Sequence, residues 1–177
     1  MILRNIFISG LLITSSCGLL TKKNTDPNLR TVNFTGTVHH PYCGGAKPTP
    51  DVATGYYESM KFEKFKIIKG AEFKEGLPVY EEVTLDVEGN ATFHLEQGHY
   101  MLVRSDKFLP LDEFMKKNGL IEEKNYELKG NDCFKTWQNT VDLYFNIEND
   151  TILELRQNAK CWVGTNPCME YVGPPAP

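Results

Sequence analysis

Long apolar runs, basic clusters and tightly spaced cysteine pairs are all missing from this 177-residue chain. Its main apolar stretch ends at Ile13 and is too short to span a bilayer. A mean hydropathy of −0.37 argues against a membrane-crossing segment after it. Lysine and arginine number 19 against 23 acidic residues, giving a formal net charge of −4. Both signs are interspersed, which removes nucleic acid as an expected partner. Histidine is scarce, and no Ser-His-Asp set or pair of carboxylates stands out, so the sequence names no catalytic residue and no cofactor. Internal repeats and low-complexity tracts are absent too.

What is present begins with an export signal. Arg4 precedes the apolar run Ile6-Phe7-Ile8-Ser9-Gly10-Leu11-Leu12-Ile13, and Thr14-Ser15-Ser16-Cys17 resembles a lipobox. Small residues there admit a peptidase, and the Cys17 thiol can carry lipid. Residues 1–16 are therefore expected to be a lipoprotein signal peptide, with 17–30 a polar, turn-rich tether behind lipidated Cys17. Lys22-Lys23 stands where some surface-exported lipoproteins carry acidic residues. The expected location is the bacterial cell envelope, anchored by lipid to a membrane, with the protein facing the periplasm. The 161 residues from Cys17 onward suffice for one domain.

Strand signals dominate that domain. Val83, Leu85 and Val87 alternate with polar residues, as do Ala91, Phe93 and Leu95 after the turn Gly89-Asn90, and His99 to Arg104 follows a second turn at Gln97-Gly98. Val32, Phe34 and Val38 share a face upstream, Phe65 and Ile67 another. Leu143, Phe145 and Ile147 precede a turn and a last strand from Ile152 to Arg156. One helix is predicted after Pro110, where Leu111, Phe114 and Met115 fall at i, i+3, i+4. The sandwich is expected over 31–160, and 161–177 reads as a proline-rich tail clipped by a disulfide.

Phe34-Thr35-Gly36-Thr37-Val38, Phe65 to Gly70, the "D-x-x-G-x-x-x-F" run Asp86 to Phe93 and the "L-x-x-G-x-Y" run Leu95 to Tyr100 follow one another in the order seen in carboxypeptidase regulatory-like domains. Over 31–104 the chain resembles that family. The resemblance implies a transthyretin-like Greek-key β-sandwich of about seven strands with one short helix, and little catalysis. Two enzyme groups use the same sandwich. Hydroxyisourate hydrolases end in Tyr-Arg-Gly-Ser, whereas this chain has Tyr171-Val172-Gly173-Pro174; intradiol dioxygenases hold iron with closely spaced strand histidines, whereas His94 and His99 straddle the Gly98 turn.

Cysteine is the remaining chemistry. With Cys17 set aside, Cys43, Cys133, Cys161 and Cys168 form an even set with three possible pairings in an oxidising compartment. The preferred pairing is Cys43–Cys133 with Cys161–Cys168, the latter clipping a short loop of turn formers. Tyr42, Trp162 and Tyr171 flank these cysteines and form a candidate patch for a glycan or an envelope protein. The expected function is thus a non-catalytic binding or scaffolding module. The alternative is a copper- or zinc-handling protein using His39, His40 and Cys43.

Overall fold

The computed structural model describes residues 26–45, 47–74, 76–118, 125–166 and 168–174. The signal, Cys17 and most of the tether lie outside the described residues. Two sheets face each other. In the first, strand β1 (Arg30–His40) runs parallel to β9 (Thr151–Asn158) on one side. Its other side is shared between two antiparallel partners, β5 (Asn90–Leu95) along the first half and β2 (Tyr56–Ser59) along the second. The second sheet is antiparallel in the order β4 (Val79–Thr84), β3 (Lys64–Lys69), β6 (Gly98–Arg104), β8 (Leu143–Ile147).

Alternation makes this a sandwich. Val32, Phe34, Phe93, Leu95 and Leu155 project from the first sheet into a core shared with Phe65, Ile67, Val83, Leu102 and Ile147 of the second. Phe34 and Phe65 meet edge to face across the interface, ring centres 5.6 Å apart. Both family-like signatures have local causes. Asp86 Oδ1 accepts the backbone N–H groups of Glu88 (2.9 Å) and Asn90 (2.8 Å), while Gly89 takes φ +80°. That turn carries the chain from β4 toward β5. In the second signature, the buried Tyr100 hydroxyl donates to the Glu96 carbonyl at 3.0 Å, tying the β5–β6 turn to the core. Burial pushes the Tyr100 phenol upward from its ordinary pKa.

The mostly β sandwich agrees with expectation, and the structure adds elements. Ten strands are described against about seven expected, and three α-helices against one. The expected helix is α2 (Leu111–Lys117). Two more are α1 (Pro50–Ala53) and α3 (Asn131–Gln138). A small second core joins α2 to α3 through Phe114, Phe134, Trp137 and Cys168. Beside it β7 (Tyr126–Leu128) pairs with β10 (Met169–Tyr171), so the tail is a strand of this cap. Val87, expected on a buried face, is exposed because it lies in the Asp86–Gly89 turn.

Charged groups link cap and sandwich. Arg104 donates from Nη2 to Asp106 Oδ2 at 2.5 Å, and Lys107 Nζ lies 2.9 Å from Asp142 Oδ1; all four side chains are at least nine-tenths buried. Lys107 also donates to the Thr140 carbonyl at 3.0 Å, and Asp142 Oδ2 accepts the Arg104 backbone N–H at 2.8 Å. Burial, partly offset by Asp142, holds the Lys107 ammonium below its usual pKa.

Candidate functional site

At the end of β1 the chain leaves the sheet as His40-Pro41-Tyr42-Cys43, and α1 returns toward β2 through Gly55. Gly55 sits at φ +72°, and a Cβ there would fall 2.1 Å from the His40 carbonyl, so this return admits only glycine without displacing β1. His39 Nε2 donates to the Thr54 carbonyl at 2.8 Å, fixing its protonated nitrogen and fastening the loop to the strand. Between these segments lies an open cleft of about 510 Å³, walled by His40, Pro41, Tyr42, Cys43, Asp51, Val52 and Tyr56.

Tyr56 is 60% exposed and lies nearly parallel to His40, ring centres 4.9 Å apart and planes 9° apart. His40 Nε2 also faces Glu58 at 3.5 Å. Asp51 supplies the acidic wall. A hydrogen bond from the Thr49 side chain, then backbone N–H groups, hold its carboxyl below the usual range, so it accepts hydrogen bonds at neutral pH. Aromatic surface with a few placed acceptors is the composition of a small-ligand site.

The disulfides correct the expected pairing. Cys43 is bonded to Cys161, and Cys133 to Cys168, with Cα atoms 5.3 Å and 5.7 Å apart. The local Cys161–Cys168 clip does not form. Instead the parallel register places His39 beside Asn158, and the few residues that follow the end of each strand bring Cys43 and Cys161 together. Cys133, on α3, meets Cys168, which immediately precedes cap strand β10. This also changes the metal set, because Cys43 has no thiolate to offer. His39 and His40 occupy opposite faces of β1, the first packed at a tilt of 41° against Tyr57 and the second stacked on Tyr56. Among the described residues no cluster of three or more His, Cys, Asp or Glu is placed to hold a metal ion.

Of the expected aromatic patch, Trp162 and Tyr171 do come together, ring centres 5.9 Å apart, and Tyr126 extends the row at 5.5 Å from Tyr171. Tyr42 and Trp162 flank the two halves of one disulfide. Trp162 takes φ +71° in the turn closed by Val163 N–H donating to the Lys160 carbonyl, a conformation that usually belongs to glycine, yet it remains 48% exposed. The sequence did not single out Tyr56 and Tyr57, whose signal was an adjacent aromatic pair in the segment that follows β1. His94 is half-buried and His99 exposed, on β5 and β6.

Fold and cleft together define a class: a disulfide-braced β-sandwich with an aromatic cleft at the end of its central strand. Comparison with protein-family models finds no match to this chain, and comparison with curated proteins finds none. Among solved structures it is similar to a double mutant of the shaft pilin SpaA from Lactobacillus rhamnosus GG, at 10% identity and a TM-score of 0.37, over 73% of this chain and 49% of that one. It is also similar to the full-length major pilin SpaD from Corynebacterium diphtheriae, at 15% identity and a TM-score of 0.31, over 70% of this chain and 31% of that one. The chain thus spans about half the length of the first pilin and about a third of the second. No activity or partner is transferred from either.

Proposed function

We propose that this protein is a non-catalytic binding module of the bacterial envelope, related to carboxypeptidase regulatory-like domains, held to a membrane through lipidated Cys17 and taking a glycan in the cleft beside Tyr56. The observation that carries this reading is the exposed Tyr56 ring held flat on His40 at the wall of a cleft that also presents the Asp51 carboxylate. A pyranose has one face of C–H groups, which packs on such a ring, and hydroxyls at its rim that donate to a carboxylate. The Cys43–Cys161 bond holds the cleft's lip in place before any ligand arrives, which lowers the ordering cost of binding. Two disulfides suit an oxidising compartment, and the lipobox-like Thr14-Ser15-Ser16-Cys17 supplies the route there.

A glycan array followed by titration calorimetry tests the function. Tyr56→Ala is expected to weaken a captured glycan roughly tenfold or more, corresponding to loss of about 1.4 kcal/mol or more of stacking, with Asp51→Asn weakening it less. Trp162→Ala and Tyr171→Ala report on the neighbouring aromatic row. Equal affinity in wild type and Tyr56→Ala would remove the cleft from the function. Mass spectrometry of native material, showing acyl chains on Cys17 or an unprocessed start, decides the anchor.

A further inference from the structure

Strand β9 is an edge. It pairs with β1 on one side, and no strand among the described residues pairs with its other flank. The Ala159 N–H donates to the His39 carbonyl at 2.8 Å, which sets the phase of the strand. Odd-numbered residues of β9 turn their backbone groups toward β1. Ile152, Glu154, Arg156 and Asn158 turn theirs to the open flank. The strand is eight residues long and contains neither proline nor glycine, so its outward backbone groups are uninterrupted, and the charges it carries, Glu154 and Arg156, are of opposite sign.

We propose that a second copy of this chain pairs with β9, antiparallel about a two-fold axis at Leu155, extending the first sheet across both protomers. The occupant and its register follow from charge. Only residues with outward backbone groups can exchange hydrogen bonds, so the even-numbered residues must oppose one another. A shift that sets Glu154 against its own symmetry mate opposes two carboxylates, and one that sets Arg156 against its mate opposes two guanidinium groups. The register centred on Leu155 sets Glu154 against Arg156 twice, and Ile152 against Asn158 twice. Within one chain these two charges already pair, with Arg156 Nη2 donating to Glu154 Oε2 at 2.6 Å. Both side chains are more than half exposed and stand on the outer face, free to turn to a partner. Ile152, 74% exposed, gains cover from the opposing strand. A contact made by one strand edge is small, so the dimer is reversible. This pairing is independent of the glycan reading.

Sedimentation velocity of the full oxidised chain in a non-ionic detergent, over a concentration series, tests it. Wild type is expected to show a reversible monomer–dimer equilibrium. Glu154→Arg places arginine against arginine at both related positions, and Arg156→Glu places glutamate against glutamate. Each is expected to weaken association roughly tenfold or more, from like charges directly opposite in a sheet. An equimolar mixture of the two variants restores association, because every cross-strand pair is again Arg with Glu. Far-UV circular dichroism confirms that both exposed-site variants are folded. A wild type that stays monomeric throughout, single variants that associate like wild type, or a mixture as weak as its components would each overturn the proposal.

Discussion

Removing the Cys133–Cys168 bond is expected to uncouple the cap from the sandwich. The bond closes a loop of 35 residues, and loop-closure entropy assigns it about 3.8 kcal/mol of stabilisation at 25 °C. The cap's own core holds Phe114, Phe134, Trp137 and the half-cystine Cys168, far fewer groups than the sandwich buries. Cys133→Ala/Cys168→Ala therefore removes a stabilisation that the cap cannot replace from its packing. The test is guanidinium unfolding in a Trp162→Phe background, so that fluorescence reports Trp137 alone while far-UV circular dichroism follows the strands. In the parent the two transitions coincide; in the variant the Trp137 transition moves to lower denaturant, separate from the sandwich. Coincident transitions displaced by less than about 1 kcal/mol would refute the view that this bond carries the cap.

Lys107→Met leaves Asp142 buried without its ion partner and is expected to cost about 3–5 kcal/mol, whereas Lys107→Met/Asp142→Asn removes both charges, keeps an oxygen for the Arg104 N–H, and recovers most of that loss in urea titrations. Because burial lowers the Lys107 pKa, the unfolded chain retains that proton to higher pH than the folded one. This group's penalty is therefore relieved as pH rises toward its ordinary value of 10.5, and the double variant should lack that upward slope in stability, with Tyr100 opposing it only above about pH 10. Gly89→Ala puts a Cβ 2.7 Å from the Gly36 carbonyl at φ +80°, so thermal unfolding should show a loss of more than about 1 kcal/mol. Tyr100→Phe deletes the hydrogen bond to Glu96 and should cost about 1 kcal/mol, measured the same way.

The sandwich was legible because its causes are local. Period-two burial in β1, β5 and β8, the continuous apolar run of β6, and the Asp86 and Tyr100 turns are written in adjacent residues. Strand β2 was hidden because Tyr56, Tyr57 and Glu58 are all exposed, so no alternation marks it. The cap was hidden for a different reason. Phe134 and Trp137 fall at a helical i, i+3 spacing on α3, but their partners Phe114 and Cys168 are distant in sequence, and two large apolar side chains in eight make a weak period. The Arg104, Asp106, Lys107 and Asp142 network read as ordinary surface charge, since only the packing of cap on sandwich buries it. Cysteine pairing was the least accessible, because short loops look easiest to close while the fold had already brought Cys43 to Cys161 through the parallel β1–β9 register.

That register makes one further outcome calculable. Cys161 lies beyond the end of β9, and the turn it belongs to is held by the Lys160–Gly164 backbone pair, with Trp162 in its strained conformation. Strand β9 itself is held by β1 along eight residues and by Leu155 in the core. Cys43→Ala/Cys161→Ala should therefore release the lip without releasing the strand, even though loop-closure entropy assigns this 118-residue bond about 4.9 kcal/mol of global stabilisation. Native-state hydrogen exchange distinguishes the two effects. Amides of Val163 and Gly164 should lose protection to local opening, while those of Leu153, Leu155 and Gln157, which face β1, should change only by the global amount. Equal loss at all five would mean that the disulfide, and not the sheet, holds β9 in place.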